Sequence, residues 1–112
     1  TAQPTTTAAP GEHPDCSKLK CIALTFDDGP GPHTTKLLNE LAKTKSKATF
    51  FVLGPNVASN PDVVARMAKE GHQIGNHSWS HSQFSHLSAN KVLSEVEPVS
   101  YTHLTLPTIL LV

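Results

Sequence analysis

The chain has no excess of charge of either sign. Nine Lys and Arg balance nine Asp and Glu over 112 residues, so the formal net charge is zero. That balance excludes the basic footprint of a nucleic-acid binder and the polybasic patch of a protein drawn to anionic membranes. Long hydrophobic runs are missing as well. The longest fall far short of the ~20 apolar residues that cross a bilayer, and no membrane span is expected. No signal peptide is visible and the first residue is Thr1 rather than Met, so the chain reads as a mature or excised piece. Cysteine is scarce, at two residues. Cys16 and Cys21 enclose Ser-Lys-Leu-Lys, which is not the Cys-x-x-Cys spacing of a redox pair. In an exported protein such a close, even pair suggests a local disulfide pinning the first strand, though so short a loop removes little chain entropy. Two structural thiols are the alternative.

What is present fits one small domain. Residues 1–15 open with TAQPTTTAAPGEHP, rich in Thr, Ala and Pro and poor in anything to bury. They read as a flexible spacer or a frayed terminus. CIALTF, residues 21–26, is a short apolar run expected to form a strand buried on both faces, broken by Asp-Asp-Gly-Pro-Gly-Pro. From Thr34 to Lys45, Leu37, Leu38, Leu41 and Ala42 recur at helical spacing. ATFFVL, residues 48–53, is a second buried strand stopped by Gly54-Pro55, and both Phe50 and Phe51 fit the core. Asn60-Pro61 reads as a capped helix start, with Val64, Met67 and Ala68 on one face and Gly71 at the C-terminal end. His72 to Gly75 is a third strand, and Ser88 caps a last helix through Glu97. This alternation predicts an α/β fold with parallel strands and helical crossovers.

Parallel strands share one C-terminal edge, where α/β folds keep their ligand sites. Asp27 and Asp28 close the first strand, and His77 and His81 follow the third. Two neutral imidazoles and one carboxylate make a ligand set for a divalent metal with positions left open. A cation would also offset the repulsion between adjacent carboxylates. One Asp completes the set; the other is then placed as general base on a water. Spacing alone does not decide which. His77 and His81 face one way on a helical turn, and a tight loop serves equally. Alone, His-x-x-x-His is common on surface helices and Asp-Asp-Gly-Pro is an ordinary turn; the shared sheet edge is what raises the pair above chance. Of the other histidines, His72 reads as structural, while His33 and His86 could line a groove. His13 and His103 carry no reading. Trp79 is expected to pack rather than to stack on a sugar.

CIALTFDDGPGPHTTKLL, KATFFVLG and EGHQIGNHSWSH, in that order, resemble the opening of a polysaccharide deacetylase of the NodB-homology, carbohydrate esterase family 4 type. Thr-Phe-Asp-Asp-Gly-Pro and His-Ser-x-x-His are that family's first two signature motifs. The likeness covers about residues 16–97. It implies the N-terminal part of a distorted (β/α) barrel and removal of acetyl groups from N-acetylglucosamine polymers such as peptidoglycan or chitin, or from acetylated xylan. It implies a divalent metal, zinc first, with cobalt or another ion possible. By position, the resemblance makes Asp27 the catalytic base and Asp28, His77 and His81 the metal ligands. The Thr/Pro-rich start and the cysteine pair point to a secreted or cell-wall location. The family's pattern continues with an Arg-x-Pro-Tyr segment, an Asp/Trp segment and a Leu-x-His that supplies the general acid. Residues 98–112 carry none of these, and are expected to be a non-family tail beginning where Pro98 breaks the last helix. A chain with three family strands should leave an open sheet edge, be marginally stable, and be impaired in catalysis. A non-catalytic metal- or glycan-binding role is the alternative.

Overall fold

A computed structural model describes residues 14–99 and the backbone of 109–111. The described residues run β1 (Thr25–Gly29), α1 (Thr34–Thr44), β2 (Thr49–Val52), α2 (Gly54–Ser59), α3 (Pro61–Lys69), β3 (Gln73–Asn76), a 3₁₀ turn (Phe84–His86), α4 (Ala89–Pro98) and β4 (Ile109–Leu111). The strands form one parallel sheet in the order β1-β2-β3-β4. Among the described residues, no helix is long and apolar enough to cross a membrane.

The core lies where the helical stripes meet the sheet. Leu38 and Leu41 of α1, Val57 of α2, and Val64 and Met67 of α3 are buried with Phe50, Val52 and Ile74 of the strands. In α1 and α3 these are the apolar positions that recur at helical spacing, and in β2 Phe50 and Val52 alternate with half-buried neighbours. Gly71 lies just past α3 with φ of 85°, the left-handed geometry that closes a helix without a Cβ clash. Ser88 caps α4, its hydroxyl accepting from Lys91 N.

Several expectations need correction. The first strand is neither as early as CIALTF nor buried on both faces. It starts at Thr25 and its residues are exposed or half-buried, while Ile22 is 86% exposed. Among the described residues, β1 stands at the end of the sheet order and pairs with β2 alone. Gly54-Pro55 does not merely stop β2. It opens α2, since proline in the first turn sacrifices no helix hydrogen bond. Asn60 consequently sits between two helices. Its side chain donates to Asn56 O at 3.1 Å instead of capping α3. Pro98 does not break α4 but lies in its last turn, and Val99 beyond it is fully buried in the core. The sheet edge expected at β3 lies one strand further on, because Ile109–Leu111 pairs with β3 in parallel register and β4 stands at that end of the described sheet. Phe51 is only half-buried, its ring 6.5 Å from that of His77.

His72 is structural, as expected. It is 2% exposed, and its Nδ1 accepts from Ala48 N at 3.1 Å, joining the residues just ahead of β2 and β3. Burial holds its pKa below the ordinary value, helped by Lys47, opposed by Glu70, and helped by Arg66. A His whose native pKa is depressed binds fewer protons folded than unfolded. Its contribution is therefore fully present above the unfolded pKa of about 6.5 and is lost as pH falls below that value. Urea midpoints should fall between pH 7 and 5, and His72→Gln should flatten that part of the profile; an unchanged profile would remove His72 from the account. Gly54 makes a second test. A Cβ there would lie 1.9 Å from Trp79 Cε3, inside a rigid ring. Gly54→Ala should destabilise by about 1–3 kcal/mol, read as a lower melting temperature.

Candidate metal centre

Neighbouring side chains on a regular strand point to opposite faces, so adjacent Asp residues should diverge. The sequence Asp-Asp-Gly-Pro avoids this with an irregularity. The β1–β2 register slips between Asp27 and Gly29, and Asp28 takes a left-handed φ of 69°. Such a bulge re-aims the side chain it contains. Aspartate tolerates that backbone better than most residues. Asn56, in the first turn of α2, holds the kink by donating from Nδ2 to Asp28 O at 2.7 Å.

His77 and His81 leave the C-terminal end of β3 in a loop, not on a helical turn. Ser78 and His81 both have positive φ, 77° and 62°. Each left-handed non-glycine residue costs on the order of 1–3 kcal/mol, which the surroundings must supply. They do so by hydrogen bonds. His77 N donates to Val52 O at 2.9 Å, Ser78 N to Asn76 Oδ1 at 2.9 Å and His81 N to Ser78 Oγ at 3.1 Å. Trp79 N and Ser80 N both donate to Glu95 Oε2, at 3.1 and 2.6 Å. The Trp79 ring packs against the core over Gly54, as packing rather than sugar stacking requires.

The result is one cluster. Ligand-type atoms of Asp28, His77 and His81 all lie within 4.8 Å of one another. Nε2 of each His is 3.3 Å from the same Asp28 Oδ1, and the two rings are 5.1 Å apart. Donors about 2.0–2.1 Å from a common tetrahedral centre stand about 3.3–3.4 Å from one another, so the two Asp28–His spacings fit a small divalent ion. The donor set fits too, since neutral imidazole and carboxylate suit the same class of metal. The side chains of Asp28 and His81 are 57% and 60% exposed, which leaves room for water and substrate. His77 and His81 also line a cleft of about 530 Å³ with Asn76, Ser82, Phe84 and Val96.

Asp27 lies on β1 beside the cluster in sequence, paired with Phe51 across the sheet, and exposed to solvent. It is not one of the clustered donors. His33 and His86 are exposed, and neither lines the cleft. His13 and His103 lie outside the described residues. Cys16 and Cys21 are joined by a disulfide. Sequence reasoning missed Asn56, Gly54 and Glu95. Gly54 and Asn56 were hidden in what read as a strand stop, and Glu95 looked like any charged residue on an amphipathic helix.

The family model for polysaccharide deacetylases matches residues 15–101. Over 78 residues the chain is 53% identical to the peptidoglycan-N-acetylmuramic acid deacetylase PdaC of Bacillus subtilis, covering 69% of this chain and 17% of that protein. It is 48% identical over 86 residues to chitin deacetylase 2 of Saccharomyces cerevisiae, covering 77% of this chain and 27% of that one. The chain thus spans about a sixth to a quarter of the length of these two relatives. Among solved structures it resembles T48 deacetylase, with a TM-score of 0.77 and 44% identity over 85% of this chain and half of that one. The parallel sheet, its helical crossovers and the matched residues together show that this chain belongs to the polysaccharide deacetylase family and carries the N-terminal part of its NodB-type (β/α) barrel.

Proposed function

We propose that the chain carries the metal-binding and base-bearing part of a hydrolase that removes acetyl groups from a polysaccharide. The observation behind this reading is the convergence of Asp28, His77 and His81 at one sheet edge, next in sequence to a carboxylate that stays outside the cluster. Asp28, His77 and His81 would hold a divalent ion, with zinc the first candidate and cobalt the second. When bound, such an ion polarises an acyl oxygen and lowers the pKa of water. Asp27 takes the proton from the attacking water as general base, which its exposure allows. Asp28 is committed to the cluster by its bulge and is a poor candidate for that task. Peptidoglycan and chitin are the substrates named for similar proteins, so an N-acetylated glycan is the favoured class and acetylated xylan the second.

Protonation of the leaving amine needs an acid, and none of the residues assigned here has that role. Turnover by this chain is therefore proposed to be impaired relative to a full barrel. The Cys16–Cys21 disulfide and the Thr/Pro-rich start support export, since disulfides persist in oxidising compartments.

Two experiments test the reading. Cobalt or zinc titration should saturate at one equivalent, and Asp28→Asn or His77→Ala should abolish binding with the fold retained by circular dichroism; binding that survives both variants would place the metal elsewhere. Acetate release from N-acetylglucosamine oligomers should fall about 10²–10⁴-fold in Asp27→Asn while metal stoichiometry stays the same. Equal turnover would remove Asp27 as the base.

A further inference from the structure

Five consecutive backbone N–H groups, from His77 to His81, run through the loop that carries both imidazoles, and each has an acceptor. Three of the acceptors are local or lie on the neighbouring strand: Val52 O, Asn76 Oδ1 and Ser78 Oγ. The other two N–H groups, of Trp79 and Ser80, depend on one carboxylate from a separate element. Glu95 Oε2 takes both, and Glu95 Oε1 accepts from Ser80 Oγ at 2.7 Å. Both carboxylate oxygens are thus committed to the segment between the two His residues.

The next residue on α4 adds to this. Val96 O accepts from Asn76 Nδ2 at 2.8 Å, at the point where β3 passes into the loop. Adjacent residues of α4 therefore hold the loop at its start and at its middle. The loop needs such support, because Ser78 and His81 have left-handed backbones that an unrestrained chain would leave. The Ser80 N–H, opposed by burial and joined by the Ser80 hydroxyl and the Trp79 N–H, keeps the Glu95 carboxyl below the usual carboxylate range, with Lys91 adding a smaller push. Glu95 is then an anion at neutral pH, and a charged acceptor binds N–H groups more strongly than a neutral one.

We propose that Glu95 is a positioning residue for the metal centre: from α4 it clamps the backbone of Trp79 and Ser80 and so fixes where His77 and His81 present their imidazoles. It touches none of Asp28, His77 and His81 through the bonds described and takes no part in the chemistry. The inference rests on the metal-centre reading above. Residues that orient ligands from behind typically change metal affinity 10–100-fold when altered.

The test is cobalt and zinc titration of the full chain and of Glu95→Ala, Glu95→Gln and, as a control on the same helix, Glu97→Ala. Trp79 is the only tryptophan, so its emission reports the loop directly in metal-free protein. Glu95→Ala should weaken metal binding about 10–100-fold, alter the visible cobalt spectrum, and make Trp79 more accessible to acrylamide. Glu95→Gln keeps the size and one acceptor oxygen and should fall between wild type and Ala. Glu97→Ala should match wild type. If Glu95→Ala does not fold, Glu95→Gln decides. Wild-type affinity and an unaltered cobalt spectrum in folded Glu95 variants would overturn the proposal while leaving the metal centre standing. No metal binding by the wild-type chain would overturn both.

Discussion

The structure depends on holding three side chains from two distant segments at one point, two of them, Asp28 and His81, carried on left-handed backbone. Asp28, Ser78 and His81 all have positive φ, and none is glycine. A free chain would relax away from each. The parallel sheet solves the long-range part by bringing the ends of β1 and β3 to the same edge, one strand apart. It cannot solve the local part, since regular strands would aim Asp27 and Asp28 apart and let residues 77–81 wander.

The local part is solved by elements that carry no chemistry. α2 begins directly after β2 and contributes twice: Asn56 clasps the bulge at Asp28, and Gly54 leaves space for the Trp79 ring. α4 supports the loop from the other side through Glu95 and Val96. Val99, just past α4, is sunk in the core, which anchors the helix that does this holding. The site is therefore a surface feature, largely open to water, but the parts that shape it reach into the buried interior.

The bulge also offers a physical reason for two adjacent carboxylates. On a regular strand they would point to opposite faces, and neither would be aimed at the histidines by a bulge. A register slip and a left-handed turn make them different, putting Asp28 into the donor cluster and leaving Asp27 on the regular strand. In the reading proposed here, that difference is the division between ligand and base.

Much of this was legible from residue order alone. Apolar spacing located α1, α3, α4, β2 and β3 to within a few residues, because burial of a stripe or a pleat is encoded at periods of 3.6 and 2. Topology followed from the alternation, and with it the meeting of Asp27-Asp28 with His77 and His81 at one edge. Local turn chemistry was less legible. Asn60-Pro61 looked like a cap and Gly54-Pro55 like a stop, but a helix between them reassigned both. The exposure of β1 could not be read from its apolar sequence, since exposure depends on what packs against the strand's faces in the tertiary structure. Glu95 was invisible for a related reason. A charged residue on an amphipathic helix carries no mark of its partner, and only the packing of α4 against the end of β3 decides that its carboxylate meets two backbone N–H groups instead of water. The sequence by itself determined most of the elements, their order and the edge where the chemistry gathers; tertiary structure decided which side chains hold that chemistry in place, because such contacts join residues with no periodic relation to one another.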